Sequence, residues 1–415
     1  MSNKRYDRPA QHGTINYRQN SGAAWNIHKG ACSMTNTAVD ATPAEKGLEG
    51  IIASKTAISL VDGQNGRLFY QGVEINDLAE HSTFEETVYL LWHGKLPTRA
   101  QLDELERNLK AHRALPAPLA DILRQLPKEA TPMAVLRTAV SALAAFYRDS
   151  DAITHDALVR HATILTACLP TIVAAWHRLR QGQPLLEPRD DLSHAANFLY
   201  MLNGAAPNER AARVLDIALI LHADHGLNAS TFAARVTAST LADMFSAITS
   251  ALGALKGPLH GGANEQVMRM LESIGSVERV KEWIDQALSQ KKKIMGFGHR
   301  VYRQDDPRAL ILRRISKEVG EANNDPHWYQ LSEAIENYMG EVKPGLPINV
   351  DFYSASTYHV LGVPTDLFTP IFAISRVAGW TAHVIEQIAN NRLIRPDALY
   401  VGPLNVPYVP IEQRG

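Results

Sequence analysis

The sequence predicts an all-α protein with one small β-hairpin near its N-terminal end, and three observations carry that prediction. Apolar residues recur at helical spacing over most of the chain, as in the stripe Leu102, Leu105 and Leu109. Capping patterns, Ser82-x-x-Glu85 and Thr98-x-x-Gln101, stand immediately before such segments. β-prone residues at Thr56–Leu60 and Arg67–Tyr70 flank a single turn-rich stretch, Asp62-Gly63-Gln64-Asn65-Gly66.

Taken in order, residues 1–44 are polar, carry Lys4, Arg5, Arg8, Arg18 and Lys29 against Asp7 and Asp40, and read as a disordered or variable tail with Met34 as an alternative start. After the hairpin, helices are expected at about 116–126, 132–148, 155–180, 192–203, 208–225 and 229–254, joined by short links holding Pro, Gly, Asp or Asn. The charge-free run Ala162–Trp176 contains Pro170 and falls short of the ~18–20 apolar residues of a membrane span, so it reads as a buried helix. The texture changes at Gly253–Gly262, where four glycines and a proline interrupt alanine-rich helices. A more polar region follows, and apolar helical sequence returns at Leu367–Ile388. The expected domains are therefore a large helical one over 45–262, a small one over 263–366, and a return to the large domain over 367–415.

The 415 residues, 45% of them hydrophobic, suffice for a large core and more than one domain. Forty-two Lys and Arg against 43 Asp and Glu leave a net charge of −1, so no basic field draws the chain to nucleic acid or an anionic membrane. Small molecules or another protein are the expected partners. The two cysteines, Cys32 and Cys168, are too few for a disulfide framework or a cysteine metal cluster and fit a reducing, cytoplasmic compartment.

Several clusters mix His, Arg and Asp with glycine in a way that packing does not require. In Leu221-His222-Ala223-Asp224-His225-Gly226 the two histidines are three apart and share a helix face if the helix continues through them. A metal there would need further ligands, and the sequence offers neither a His-Glu-x-x-His pattern nor a cysteine pair. His260 sits between Leu259 and Gly261 at the expected start of a helix, where a neutral imidazole acts as a donor to developing negative charge. His299 follows Gly296-Phe297-Gly298 and precedes Arg300, Arg303 and Arg308, a setting for a polyanionic ligand. These glycines lack the β-α-β context of a dinucleotide fingerprint, and no Gly-Lys-Ser/Thr loop is present, which argues against NAD chemistry and nucleotide hydrolysis. Asp351, among Val350, Phe352 and Tyr353, is a candidate general base, with a helix-capping role as the alternative. Arg376, inside an apolar helical stretch, needs an anion, and Arg395 in Leu393-Ile394-Arg395-Pro396 is a further candidate.

In their order and wording these segments resemble the citrate synthases of the short bacterial and archaeal-like type. The likeness runs from about Gly47 to Pro403 and lies in GPLHGGANEQV at 257–267, GFGHRVYRQDDPRA at 296–309, NVDFYSAS at 349–356 and FTPIFAISRVAGW ending at Trp380. The resemblance implies a two-domain helical homodimer whose small domain closes over substrate, with no metal, no permanently bound cofactor, and acetyl-CoA and oxaloacetate as substrates. It assigns Asp351 to removal of the acetyl methyl proton, His260 to the thioester oxygen and His299 to the ketone of oxaloacetate. It assigns His225, Arg308 and Arg376 to oxaloacetate binding, with Arg395 reaching over from the neighbouring subunit. Arg303 matches a CoA-phosphate arginine, and the backbone of Ile294, Met295, Gly296, Phe297 and Gly298 matches the adenine segment. Gly226 departs from the pattern, which usually has Glu there. A 2-methylcitrate synthase acting on propionyl-CoA shares every one of these residues, and one methylene is worth only about 1–3 kcal/mol of discrimination. A catalytically silent helical assembly partner is the alternative of another class, although Asp351, His260 and His299 are all present.

Overall fold

The computed structural model describes residues 46–48 and 50–415; the tail expected over 1–44, with Cys32 and Met34, lies outside the described residues. The chain divides into one compact unit of Ile52–Pro396 and a second that includes Asp397–Gly415.

In the first unit, β1 (Ser59–Asp62) and β2 (Arg67–Tyr70) pair antiparallel with Ser59 opposite Tyr70 and Asp62 opposite Arg67, forming the expected hairpin. A two-residue strand that the sequence reading did not foresee, β3 (Val73–Glu74), adds to β2. Sixteen α-helices follow among the described residues: α1 (Ile75–His81), α2 (Phe84–His93), α3 (Arg99–Ala111), α4 (Ala117–Gln125), α5 (Pro132–Leu143), α6 (His155–Arg180), α7 (His194–Asn203) and α8 (Glu209–His222), then α9 (Ala229–Ser239), α10 (Met244–Leu255), α11 (Ala263–Ile274), α12 (Val280–Ser289), α13 (Pro307–Ala322), α14 (His327–Val342), α15 (Val350–Val360) and α16 (Phe368–Ala389). The class is all-α, as the periodicity predicts.

The centre of the unit is α16, nearly every residue of which is buried against α2, α6, α8, α9 and α10. Helix α6 runs unbroken through Pro170, and although it is long and apolar enough to cross a membrane, 89% of its most apolar window is buried inside the protein. Its all-round hydrophobicity is thus that of a core helix.

Three local expectations give way. Thr98 and Gln101 form the full capping box, but at Ser82-x-x-Glu85 the cap is Thr83, whose hydroxyl accepts from Glu86 N. Glu85 is instead buried and accepts from the backbone N–H of His194, so tertiary satisfaction of another helix start outweighs the local pattern. The helix expected over 229–254 is two, α9 and α10, because Leu241 adopts φ 64° and Asp243 caps a fresh start through Ser246 N at 2.9 Å. Finally α8 stops at His222 rather than near 225, so His222 and His225 do not lie on one helix face.

Candidate active site

Elements from three parts of the chain build the site around the C-terminal end of α8. The last carbonyls of a helix have no partner within it, and here α16 and β2 supply them. Arg376 Nε donates to His222 O at 2.6 Å, Ser375 Oγ to Leu219 O, and Gly379 N to Ala223 O at 3.1 Å. Tyr70 Oη donates to Asp224 O at 2.8 Å. Gly379 has to be glycine for this: a Cβ there would lie 2.4 Å from Ala223 O and from Asp224 Oδ1. The chain beyond α8 is thereby pinned, and His225 leaves it through Gly226 at φ 60°, a left-handed turn in which the usual Glu would be strained.

His299 arrives from the segment 296–298, which pairs with 347–349. Gly298 N donates to Pro347 O at 2.7 Å and Asn349 N to Gly296 O at 2.9 Å. Gly296 sits at φ 84° hard against Phe352, where a Cβ would lie 2.5 Å from the ring. Asn349 then joins two functional residues: its Oδ1 accepts from Asp351 N at 3.1 Å, capping α15, while its Nδ2 donates to Gly298 O at 3.1 Å. Asp351 is therefore not the cap; its carboxylate is left for other work. The hairpin turn supports the same loop, since Arg303 N donates to Gly63 O at 2.9 Å.

The hydrogen bonds assign the imidazole protons. Val301 N and Tyr302 N both donate to His299 Nδ1, at 3.0 and 2.9 Å, so a neutral His299 carries its proton on Nε2. Ser230 N donates to His260 Nε2 at 3.2 Å, with Ser230 Oγ 2.7 Å away, so a neutral His260 carries its proton on Nδ1. Both rings are neutral near pH 7. Burial, followed by the charge of Arg376, pushes His260 down to about 4, and burial followed by Arg308 does the same to His299. His225 is pushed well below its ordinary value by burial, Arg308 and His299; its ring stands 5.2 Å from that of His299, and its Nε2 lies 3.4 Å from Tyr302 Oη. Burial raises the Asp351 carboxyl to about 6 even though Arg308 and Arg376 oppose the shift.

The two arginines differ. Arg308 is buried and forked onto Asp306, with Nε to Oδ1 at 3.0 Å and Nη2 to Oδ2 at 2.7 Å, so it has a partner that the sequence reading overlooked. The Asp306-Pro307 pair, a helix-start signal, was its visible sign. Burial works against the charge of Arg308, but the Asp306 carboxylate more than compensates. Arg376, 2% exposed, makes no ion pair among the described residues, and its guanidinium lies 4.5 Å over the Phe372 ring. Burial lowers it to about 10, with Asp224 opposing, so it stays charged at neutral pH. A buried cation of this kind calls for an anion.

Other predicted residues stand further out. Arg303 and Arg395 are exposed, while Ile294 and Gly296 are buried and Met295, Phe297 and Gly298 half-buried. Ser230, Tyr302 and Asp306 complete the site and were not singled out by the sequence. His225, His299 and Asp306 each bring one ligand atom within 4.8 Å of the others, the spacing of a cation site. Both Asp306 oxygens already accept from Arg308, however, and the arginine charges, which add to burial in keeping the histidines neutral, oppose a cation. His222 is not part of that cluster: its Nδ1 donates to Ala218 O and its ring packs edge-on against Phe372. The arrangement suits a small polyanion held beside a base of raised pKa and two neutral imidazole donors.

Comparison with known proteins agrees with this geometry. The family described as citrate synthase, C-terminal domain, matches residues 47–397. A citrate synthase of Haloferax volcanii is 50% identical over 375 residues, covering 89% of this chain and 99% of that protein. A 2-methylcitrate synthase of Shewanella oneidensis is 44% identical, covering 89% and 97%. The solved ternary complex of carboxymethyl coenzyme A and oxaloacetate with citrate synthase from Thermoplasma acidophilum superposes with a TM-score of 0.84 at 35% identity, covering 89% and 99%. A family match that spans both glycine-loop histidines, Asp351 and Arg376, on an all-α scaffold shared with a solved member, leaves one conclusion: this chain belongs to the citrate synthase family.

Proposed function

We propose that the protein is a citrate synthase, joining the acetyl group of acetyl-CoA to oxaloacetate and hydrolysing the resulting citryl-CoA to citrate and CoA. The observation that carries the reading is the pair of neutral imidazoles with opposite proton-bearing nitrogens, His260 Nδ1–H and His299 Nε2–H, in one arginine field with Asp351. The acetyl methyl is a very weak acid. Its proton goes to the Asp351 carboxylate while His260 Nδ1–H stabilises the enolate oxygen, and base and donor are both needed for a useful rate. His299 Nε2–H polarises the ketone of oxaloacetate and passes its proton to the new alkoxide. Arg376, Arg308 and His225 hold the oxaloacetate carboxylates. Water then attacks the thioester carbonyl of citryl-CoA, releasing CoA as the thiol. The greater identity of the citrate synthases over the 2-methylcitrate synthases, 50% against 44%, supports acetyl-CoA as the acyl donor.

CoA is assigned to Arg303 and the 294–298 backbone, and closure of a small domain, residues 263–366, would keep water out until the carbon–carbon bond has formed. A homodimer, with Arg395 completing the neighbour's oxaloacetate site, is supported by the exposed apolar residues of the second unit, among them Val401 at 88% and Tyr408 at 83%. The test is thiol release with oxaloacetate and either acetyl-CoA or propionyl-CoA. Faster release with acetyl-CoA supports the reading; a preference for propionyl-CoA moves the protein to 2-methylcitrate synthesis, and no release with either overturns both.

A further inference from the structure

Asp224 lies between the two histidines of its motif, fully buried, and the chemistry above gives it no task. A buried carboxylate needs partners, and it has three. Gly226 N donates to Oδ2 at 2.9 Å, Ser59 Oγ donates to the same oxygen, and His383 Nε2 stands 3.3 Å from Oδ1. Among the described residues neither Asp224 Oδ1 nor His383 Nε2 makes a hydrogen bond, so each is the other's nearest polar neighbour of opposite character. Burial alone would raise this carboxyl, but His383, Arg376 and Ser59 together hold it below the ordinary range.

His383 is equally buried, seven residues beyond Arg376 on α16 and so on the same face. Its other nitrogen, Nδ1, lies 3.1 Å from Arg235 Nη1. A guanidinium has donors only. Nδ1 is therefore the acceptor, and the ring's proton sits on Nε2, the nitrogen that stands 3.3 Å from Asp224 Oδ1. Arg235, itself buried, is held in turn by Glu386 at 2.5 Å and by Gln387 Oε1 at 3.1 Å. Glu386 accepts from Ala57 N at 2.8 Å and from Thr56 Oγ1 at 3.2 Å. The result is a continuous polar chain from the segment before β1 to the peptide that follows His225.

We propose that His383 is a positioning residue for oxaloacetate binding: through Asp224 it fixes the His225–Gly226 peptide and so aims the His225 ring. This rests on the citrate synthase reading and on His225 as an oxaloacetate contact. The need for such a device is local. Among the described residues the only hydrogen bond of the His225 ring is the 3.4 Å contact to Tyr302, the His299 and Tyr302 rings pack against it, and the next residue is a glycine in a left-handed turn, so the ring's direction depends on how that turn is held. Asp224 closes that turn upon itself, and His383 and Ser59 keep Asp224 from swinging.

The test uses the full chain with His383→Gln, His383→Asn and Ser59→Ala. The Gln side-chain nitrogen falls near Nε2 of the imidazole it replaces, within reach of Asp224; that of Asn falls near Nδ1 and does not reach. Oxaloacetate affinity is read by calorimetry, with kcat, both KM values and the melting temperature measured alongside. The expected result is an oxaloacetate Kd within about threefold of the parent for His383→Gln and raised about tenfold or more for His383→Asn. Turnover at saturating oxaloacetate and KM for acetyl-CoA should stay within about threefold in both. Ser59→Ala, which removes one Asp224 donor and leaves His383 intact, should raise the same Kd by a smaller factor. Equal oxaloacetate affinity in all variants overturns the proposal, as does a parallel loss in both His383 variants that follows the melting temperature and affects both substrates alike. Failure of the broader reading is separate: the unaltered protein would then neither bind oxaloacetate nor release thiol, and the proposal falls with it.

Discussion

Ser230 donates its backbone N–H to His260 Nε2 across 3.2 Å, and that contact decides which nitrogen of the glycine-loop imidazole carries the proton. Thirty residues separate the pair, so the choice of tautomer belongs to the packing of α9 against the loop rather than to the loop itself.

The assignment can be tested by isosteric replacement. An Asn side-chain nitrogen falls near the Nδ1 position and a Gln nitrogen near Nε2. His260→Asn should therefore retain more turnover than His260→Gln, while at position 299 the order reverses, with His299→Gln above His299→Asn. Loss of one such donor costs about 10²–10³ in kcat, so a gap of about tenfold or more is expected within each pair. The same order at both positions would refute the opposite tautomers.

Asp351→Asn should lower kcat by about 10²–10⁴ while oxaloacetate binding, measured directly, changes by less than about threefold. Near-normal turnover would remove Asp351 from the role of base.

The same variant should be more stable than its parent at alkaline pH. Burial raises the folded carboxyl to about 6 from the model-peptide 3.8, so ionised Asp351 destabilises the fold above pH 6, and the cost vanishes as pH falls below 4. Thermal melts at pH 8 and pH 3.5 should show a gain for Asp351→Asn only at the higher pH.

Dependence of kcat/KM on pH should show an acid limb near 6, where the Asp351 carboxyl ionises, and no histidine limb between pH 6.5 and 8. His260 and His299 are both held near 4 and remain neutral over that range. A limb at 6.5–7 that disappears in a histidine variant would contradict this.

Gly379→Ala should destabilise the protein by about 1–3 kcal/mol and raise KM for oxaloacetate, because the new methyl would lie 2.4 Å from both Ala223 O and Asp224 Oδ1 and push the His225 turn outward. Denaturant unfolding and substrate kinetics on the same preparation check both effects, and an unchanged KM would separate this glycine from the site.

The sequence by itself determined the helical class, the hairpin and most helix limits, and it singled out the glycine-flanked histidines and Asp351 as candidates, since periodicity, caps and such motifs are local signals. His299 and Asp351 were legible in this way, each within a short motif whose glycines or cap shape the chain around them. What it did not determine was partnership. Glu85 left its capping pattern to serve His194 N, the helix expected through 254 broke at Leu241, and Arg308 proved to be forked onto Asp306. Tertiary structure alone decided that Arg376 would be buried with no direct ion pair among the described residues, that Ser230 would set the His260 tautomer, and that His383 would meet Asp224. The reason is physical: a propensity is a property of a few neighbouring residues, whereas the protonation state of an imidazole or the charge balance of a buried arginine depends on which distant donors and acceptors packing brings within about 3 Å.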